Sequence, residues 1–157
     1  MCDDKGPCGC DIKTCTCIFE TGEKGHHIPE PSINLWLTEA KESPEAAQVG
    51  MWLTHNGVVR ETPKQKVRKG IDDGSKVEKL QFGYDRKKVL AAIDEAKKMD
   101  GIHYIRVWLN EGTLEVGDSI MYVLIGGDIR PHTMACLDAL VGEIKSHCVS
   151  EVEKRTK

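Results

Sequence analysis

Arg60, Lys64, Lys66, Arg68 and Lys69 fall within ten residues, opposed only by Glu61. Such a cluster suits an anion such as phosphate, to which Arg offers a planar fork of donors and Lys a mobile point charge; it equally describes a solvated surface loop. No aromatic side chain interleaves these cations, which argues against nucleic acid as a partner. A second candidate is Ile125-Gly126-Gly127-Asp128-Ile129-Arg130-Pro131, read as a strand-to-helix turn. Free N–H groups and the helix dipole favour an anion there, and Arg130 adds a fixed charge, although Asp128 opposes an anion if it points inward. The third is Lys145, one turn beyond Val141 at the border of an apolar helix face. A lysine partly desolvated among other cations can transfer protons or act as a nucleophile. The plainer alternative is a lysine snorkelling near a helix C-terminus.

Five of the seven cysteines, Cys2, Cys8, Cys10, Cys15 and Cys17, sit in the first 17 residues. The two C-x-C pairs, Cys8/Cys10 and Cys15/Cys17, put four thiolates close together. In a reducing compartment that favours Zn²⁺ or an iron–sulfur centre over disulfides, with His26 and His27 as further candidate ligands. The spacing is not the C-x₂-C of zinc ribbons, so a redox-active tail or thiols with no specific task are the alternatives. Cys136 and Cys148 fall on or near the apolar face of the last helix and are expected to be buried.

The elements that must position these groups can be read from the rest of the chain. At 157 residues with 39% hydrophobic and 30% charged side chains, the sequence suits one globular domain with a short appendage. Aromatics make up only 5%, so aliphatic packing must carry the fold. No apolar run approaches the roughly 20 residues that span a bilayer, and MCDDKGPCGC lacks a basic region or apolar signal core. A cytoplasmic protein without a membrane segment is expected.

A boundary is placed at Pro31, after the breaker-containing IPEPS. Residues 1–31, a Cys-rich segment and linker, hold 3 basic against 6 acidic residues, and residues 32–157, the domain, hold 19 against 19. The formal net charge of −3 therefore belongs to the first segment.

Within the domain, Ser32 caps a short helix through Ala40, although INLWL alternates well enough to be a strand, and Val49–His55 is a strand candidate before an Asn56-Gly57 turn. Residues 61–73 form a long polar loop. Lys76–Tyr84 alternates as a half-buried strand, and Asp85 caps a helix with Val89, Leu90, Ile93, Ala96 and Met99 on one face, ending at Gly101. Ile102–Leu109 and Ser119–Ile125 are strands joined by a GTLEVGD turn. Pro131 opens a last helix whose apolar positions are Met134, Leu137, Leu140, Val141, Ile144 and Cys148. Strands that mostly follow one another directly, with helices laid on one face, indicate an α+β fold.

Four stretches, VGMWLTHNGVVRET, LQFGYDRKKVLAAIDEA, GTLEVGDSIMYVLIGGDIR and the helix ending at EIKSH, together resemble the catalytic (large) subunit of molybdopterin synthase. In that family a strand leads through G-x-V-R to a mobile loop, matched here by Gly57-Val58-Val59-Arg60. The family turn G-x-L-x-x-G-D is Gly112 to Asp118. An essential Lys lies fifteen residues beyond an Arg, as Lys145 lies beyond Arg130. The resemblance covers about the last 110 residues. It implies an α/β-hammerhead-like domain, a homodimer, and a reaction needing no metal. A small ubiquitin-like subunit inserts its C-terminal thiocarboxylate, and sulfur passes to cyclic pyranopterin monophosphate to form the dithiolene of molybdopterin. It casts Lys145 as catalytic, and Arg60, Arg130, Lys154, Val58, Val59 and Ile129 as substrate contacts. The sequence departs from the family pattern where His-Arg becomes Ile129-Arg130 and where the basic position seven past Lys145 is Val152, with Lys154 two further on. The competing reading is a non-catalytic protein that keeps the fold and binds Zn or Fe–S through Cys8, Cys10, Cys15 and Cys17 for sensing or assembly.

Overall fold

The first helix, α1 (Ile33–Lys41), starts where the sequence predicts, with Ser32 Oγ accepting from the Leu35 N–H at 3.3 Å. The computed structural model describes residues 17–20 and 29–156. A strand β1 (Cys17–Glu20) precedes α1; β2 (Met51–Val58), α2 (Lys64–Lys69), β3 (Val77–Tyr84), α3 (Arg86–Lys97), β4 (Ile102–Leu109), β5 (Gly112–Glu115), β6 (Ser119–Gly127), α4 (Arg130–Glu143) and β7 (Val149–Arg155) follow it. One wide π-helical turn, Ile144–Cys148, joins α4 to β7.

The strands form two sheets, ordered β1-β4-β6-β2 and β5-β3-β7. Every pairing is antiparallel except β1 with β4. Alternation along the central strands sorts side chains to two faces. Ile105, Val107 and Leu109 of β4 and Met121, Val123 and Ile125 of β6 enter the larger core, with α3, α4 and the three-stranded sheet. Tyr104, Trp108 and Leu124 point the other way, onto Trp36 and Ala40 of α1. Helices therefore cover both faces of the four-stranded sheet, rather than one. The mixed, mostly antiparallel α+β class stands.

α3 carries the expected apolar face, with Val89, Ile93 and Ala96 buried. Asp85 accepts from the Lys88 N–H at 3.2 Å, and its own N–H donates to the Cys148 carbonyl at 2.8 Å. Replacing Asp85 with alanine is expected to cost about 1 kcal/mol through the lost cap. Chemical denaturation of the two proteins measures this, and an unchanged midpoint would contradict it.

Several expectations change. Asn56-Gly57 is not a turn: β2 runs through it, because the Asn56 amide donates to the Met121 carbonyl at 3.1 Å and to Ser119 Oγ at 3.2 Å across the β2–β6 pair. The polar loop contains α2, closed by Gly70 at φ 68, whose N–H donates to the Lys66 carbonyl at 3.0 Å. The GTLEVGD stretch begins as β5, paired with β3, before it turns. VSEVEKR, to which the sequence reading assigns no element, forms β7 on the other side of β3.

Candidate active site

The two sheets meet at a recess of about 50 Å³. Each wall is fixed by local structure. Val58 ends β2 and Val59 and Arg60 follow it, where Val59 N–H donates to the Asp118 carbonyl at 2.9 Å and Gly117 N–H to the Val59 carbonyl at 2.8 Å. Lys64 and Arg68 lie one turn apart on α2, Leu80 and Ile120 form an apolar floor, and Lys145 projects from the π-helical turn. Glu151 and Glu153 complete the wall from β7. The same turn that carries Lys145 is anchored behind by buried Ile144 and Cys148.

Four cationic side chains, Arg60, Lys64, Arg68 and Lys145, thus meet two carboxylates. Arg60 and Lys145 are exposed at the rim, and Arg60 Nε donates to the Thr62 carbonyl at 3.1 Å. Lys64 is ion-paired with Glu151, and its backbone N–H donates to Glu153 Oε1 at 3.0 Å. Glu153 therefore caps α2 at the end where N–H groups lack partners. Beyond the recess, Asp73 holds the following loop. Its carboxyl is pulled down to about 2 by hydrogen bonds from the Ser75 hydroxyl and N–H and from the Gln65 amide.

Four of the expected contacts, Lys145, Arg60, Val58 and Val59, come together here; Arg130, Ile129 and Lys154 do not line the recess. Gly126 and Gly127 belong to β6 rather than to a phosphate-cradling turn. A Cβ on Gly126 would come within 2.5 Å of the Trp52 ring, and one on Gly127 would collide with Thr133, so these glycines serve packing. Asp128 occupies the N-terminus of α4 itself: Oδ1 accepts from the Ile129 N–H at 2.7 Å and contacts His132 Nδ1 at 2.7 Å. That histidine contact, foremost, holds the Asp128 carboxyl below its ordinary range. Lys154 falls on the exposed face of β7, because the period of two that turns Glu151 and Glu153 inward turns Lys154 outward. Those two carboxylates were missed, although the same alternation in VSEVEKR puts them on one face.

His55 was missed as well. It precedes the G-x-V-R stretch on β2, and its Nε2 is buried with no hydrogen-bond partner among the described residues. Burial, and then the charge of Lys145, lower its pKa from the ordinary 6.5. As pH falls the unfolded chain takes up this proton first. The stability contributed by neutral His55 is therefore complete above pH 6.5 and lost below it. Thermal melts between about pH 7.5 and about pH 5 should show a smaller decline for His55→Leu than for the parent. Identical declines would exclude the effect.

Cys136 and Cys148 are buried as expected. Desolvation pushes the Cys136 thiol up to about 11 and raises that of Cys148. Among the described residues no three His, Cys, Asp or Glu side chains are grouped to hold a metal. Cys8, Cys10 and Cys15 lie outside the described residues, and Cys17 enters only through the backbone of β1. No described helix is long and apolar enough to cross a membrane. A larger cavity of about 560 Å³ lies between α3 and α4, lined largely by Ala91, Ala92, Ala96, Ala139 and Leu140. It shares no residue with the recess.

The family model described as "MoaE protein" matches residues 32–147. The chain belongs to the MoaE family. Members of this family are molybdopterin synthase catalytic subunits, and the chain is an enzyme subunit of molybdenum cofactor biosynthesis. No curated protein matches it. Among solved structures its fold is similar to molybdopterin synthase from Staphylococcus aureus, at 20% identity and TM-score 0.54 over 70% of this chain and 82% of that one. The molybdopterin biosynthesis MoaE protein of Burkholderia ambifaria gives 14% identity and TM-score 0.58, over 82% of this chain and 87% of the other. A complex of subunits 1 and 2 of molybdopterin-converting factor from Helicobacter pylori gives 15% and 0.55, with 78% of each chain covered. Nothing among the described residues supports a non-catalytic metal-binding role.

Proposed function

We propose that this MoaE-family chain accepts the C-terminal thiocarboxylate of a small ubiquitin-like subunit and passes its sulfur to cyclic pyranopterin monophosphate, working as a homodimer in the cytoplasm. The observation that carries this reading is that Arg60 and Lys145, far apart in sequence, stand at the rim of one recess. An exposed lysine there acts as a point charge. Its ammonium stabilises the anionic states formed as sulfur attacks and oxygen leaves, while the fork of Arg60 suits the cyclic phosphate. Val58 and Val59 shape the apolar side against which the substrate rests. None of these steps draws on the N-terminal cysteines, so Zn or Fe–S at Cys8, Cys10, Cys15 and Cys17 would be a separate property, tested by metal analysis of the full chain against a chain beginning at Pro31.

The test is reconstitution. Purified chain, thiocarboxylated small subunit and cyclic pyranopterin monophosphate are mixed, and molybdopterin is assayed. Product that depends on all three is expected. Absence of product despite formation of the two-subunit complex would refute the reading.

A further inference from the structure

The recess holds a carboxylate that sulfur transfer as described leaves without a task. Glu153 is occupied: Oε1 accepts from the Lys64 N–H and Oε2 faces Arg155 Nε at 3.9 Å. Glu151 is different. Its side chain is only 8% exposed; Oε2 is paired with Lys64, while Oε1 is buried and accepts no hydrogen bond from any described residue. A buried carboxylate oxygen without a donor is costly. Phosphate binding does not explain it either, because a carboxylate weakens an anion site.

The size of the recess limits what can supply the donor. At about 50 Å³ the recess takes only part of a fused three-ring molecule, so the rest of such a ligand lies at its open rim. The substrate proposed above has a donor edge. Its 2-amino-4-oxopyrimidine ring presents the N3–H and the 2-amino group side by side as donors, while its anion lies at the other end of the molecule. Arg60 and Lys145, exposed at the rim, are placed for that anion.

We infer that Glu151 is a specificity-determining residue, whose Oε1 accepts from the amino-pyrimidinone edge of the pterin and so separates this substrate from other phosphates. The inference rests on the proposed function. Lys64 serves it by neutralising the second oxygen of the carboxylate and holding it against the recess. Such a division of labour explains how a net cationic recess contains an inward carboxylate: one end of the ligand needs cations and the other an acceptor.

The experiment is calorimetric titration of the full chain with cyclic pyranopterin monophosphate and, separately, with inorganic phosphate. A hydrogen bond to a charged acceptor supports an affinity loss of about tenfold or more in Glu151→Gln for the pterin, with phosphate affinity unchanged or raised. Glu151→Asp, which keeps the carboxylate, should recover part of the preference. Unchanged pterin affinity in Glu151→Gln, or equal weakening of both ligands, would overturn the inference while leaving the proposed function standing. Failure of the parent chain to bind the pterin would remove both. A ligand-side comparison avoids dependence on the variant's folding. Pterin should compete with the precursor on the parent chain about tenfold better than 2-dimethylaminopterin, and equal competition would overturn the inference.

Discussion

Lys145→Ala is expected to lower molybdopterin formation by about two to three orders of magnitude, the usual effect of removing a group that stabilises developing negative charge. The structure makes the substitution clean. Lys145 is exposed, whereas its neighbours in the π-helical turn, Ile144 and Cys148, are buried and hold the turn without it. Stability should therefore change by no more than about 0.5 kcal/mol, as for other surface substitutions. Lys145→Arg keeps a cation but replaces a compact ammonium with a longer planar group, so partial activity is expected. Steady-state product formation with saturating small subunit measures all three proteins. Full activity in the alanine variant would remove Lys145 from the chemistry.

The largest structural effect should come from Trp108→Ala. Trp108 is 1% exposed, lies 5.7 Å from the Tyr122 ring and belongs to the cluster that seats α1 through Trp36. Arg106, 4.7 Å over the Trp36 ring and 2.5 Å from Glu39, clamps the same helix from the rim. Trp36, Tyr104 and Trp108 make up most of the cluster's buried members, and Trp52 and Tyr122 pack against them. Truncation should cost about 3–5 kcal/mol by lost transfer energy and the cavity left behind. Against a typical total of about 5–15 kcal/mol this brings the chain near unfolding. Guanidinium denaturation measures it, with Trp108→Phe expected to lose less; a loss below about 1 kcal/mol would show that α1 is not seated by this cluster.

How much of this could be read in advance follows from where each element gets its stability. α3 was legible because its cap and apolar face are written within one segment, although the helix ends at Lys97, capped by Lys98, and not at Gly101. Lys145 was legible through its spacing from Arg130 and the family resemblance, and Arg60 through the G-x-V-R stretch. β1 was not, because a four-residue strand depends on pairing with β4. α2 has six residues and depends on Gly70 at one end and on Glu153, distant in sequence, at the other. The inward carboxylates were hidden for the same reason: β7 is a strand only because β3 lies beside it. Before α4, where an anion site was expected, the Asp128 carboxylate stands instead, accepting from the Ile129 N–H and contacting His132.

On the proposed function, the recess at Lys145 is where the pterin precursor is held for sulfur transfer. A crystal structure of this chain with cyclic pyranopterin monophosphate bound tests it most directly. Phosphate oxygens about 3 Å from Arg60 and Lys145 are expected. Precursor bound in the α3–α4 groove, or bound without contact to Lys145, would contradict it.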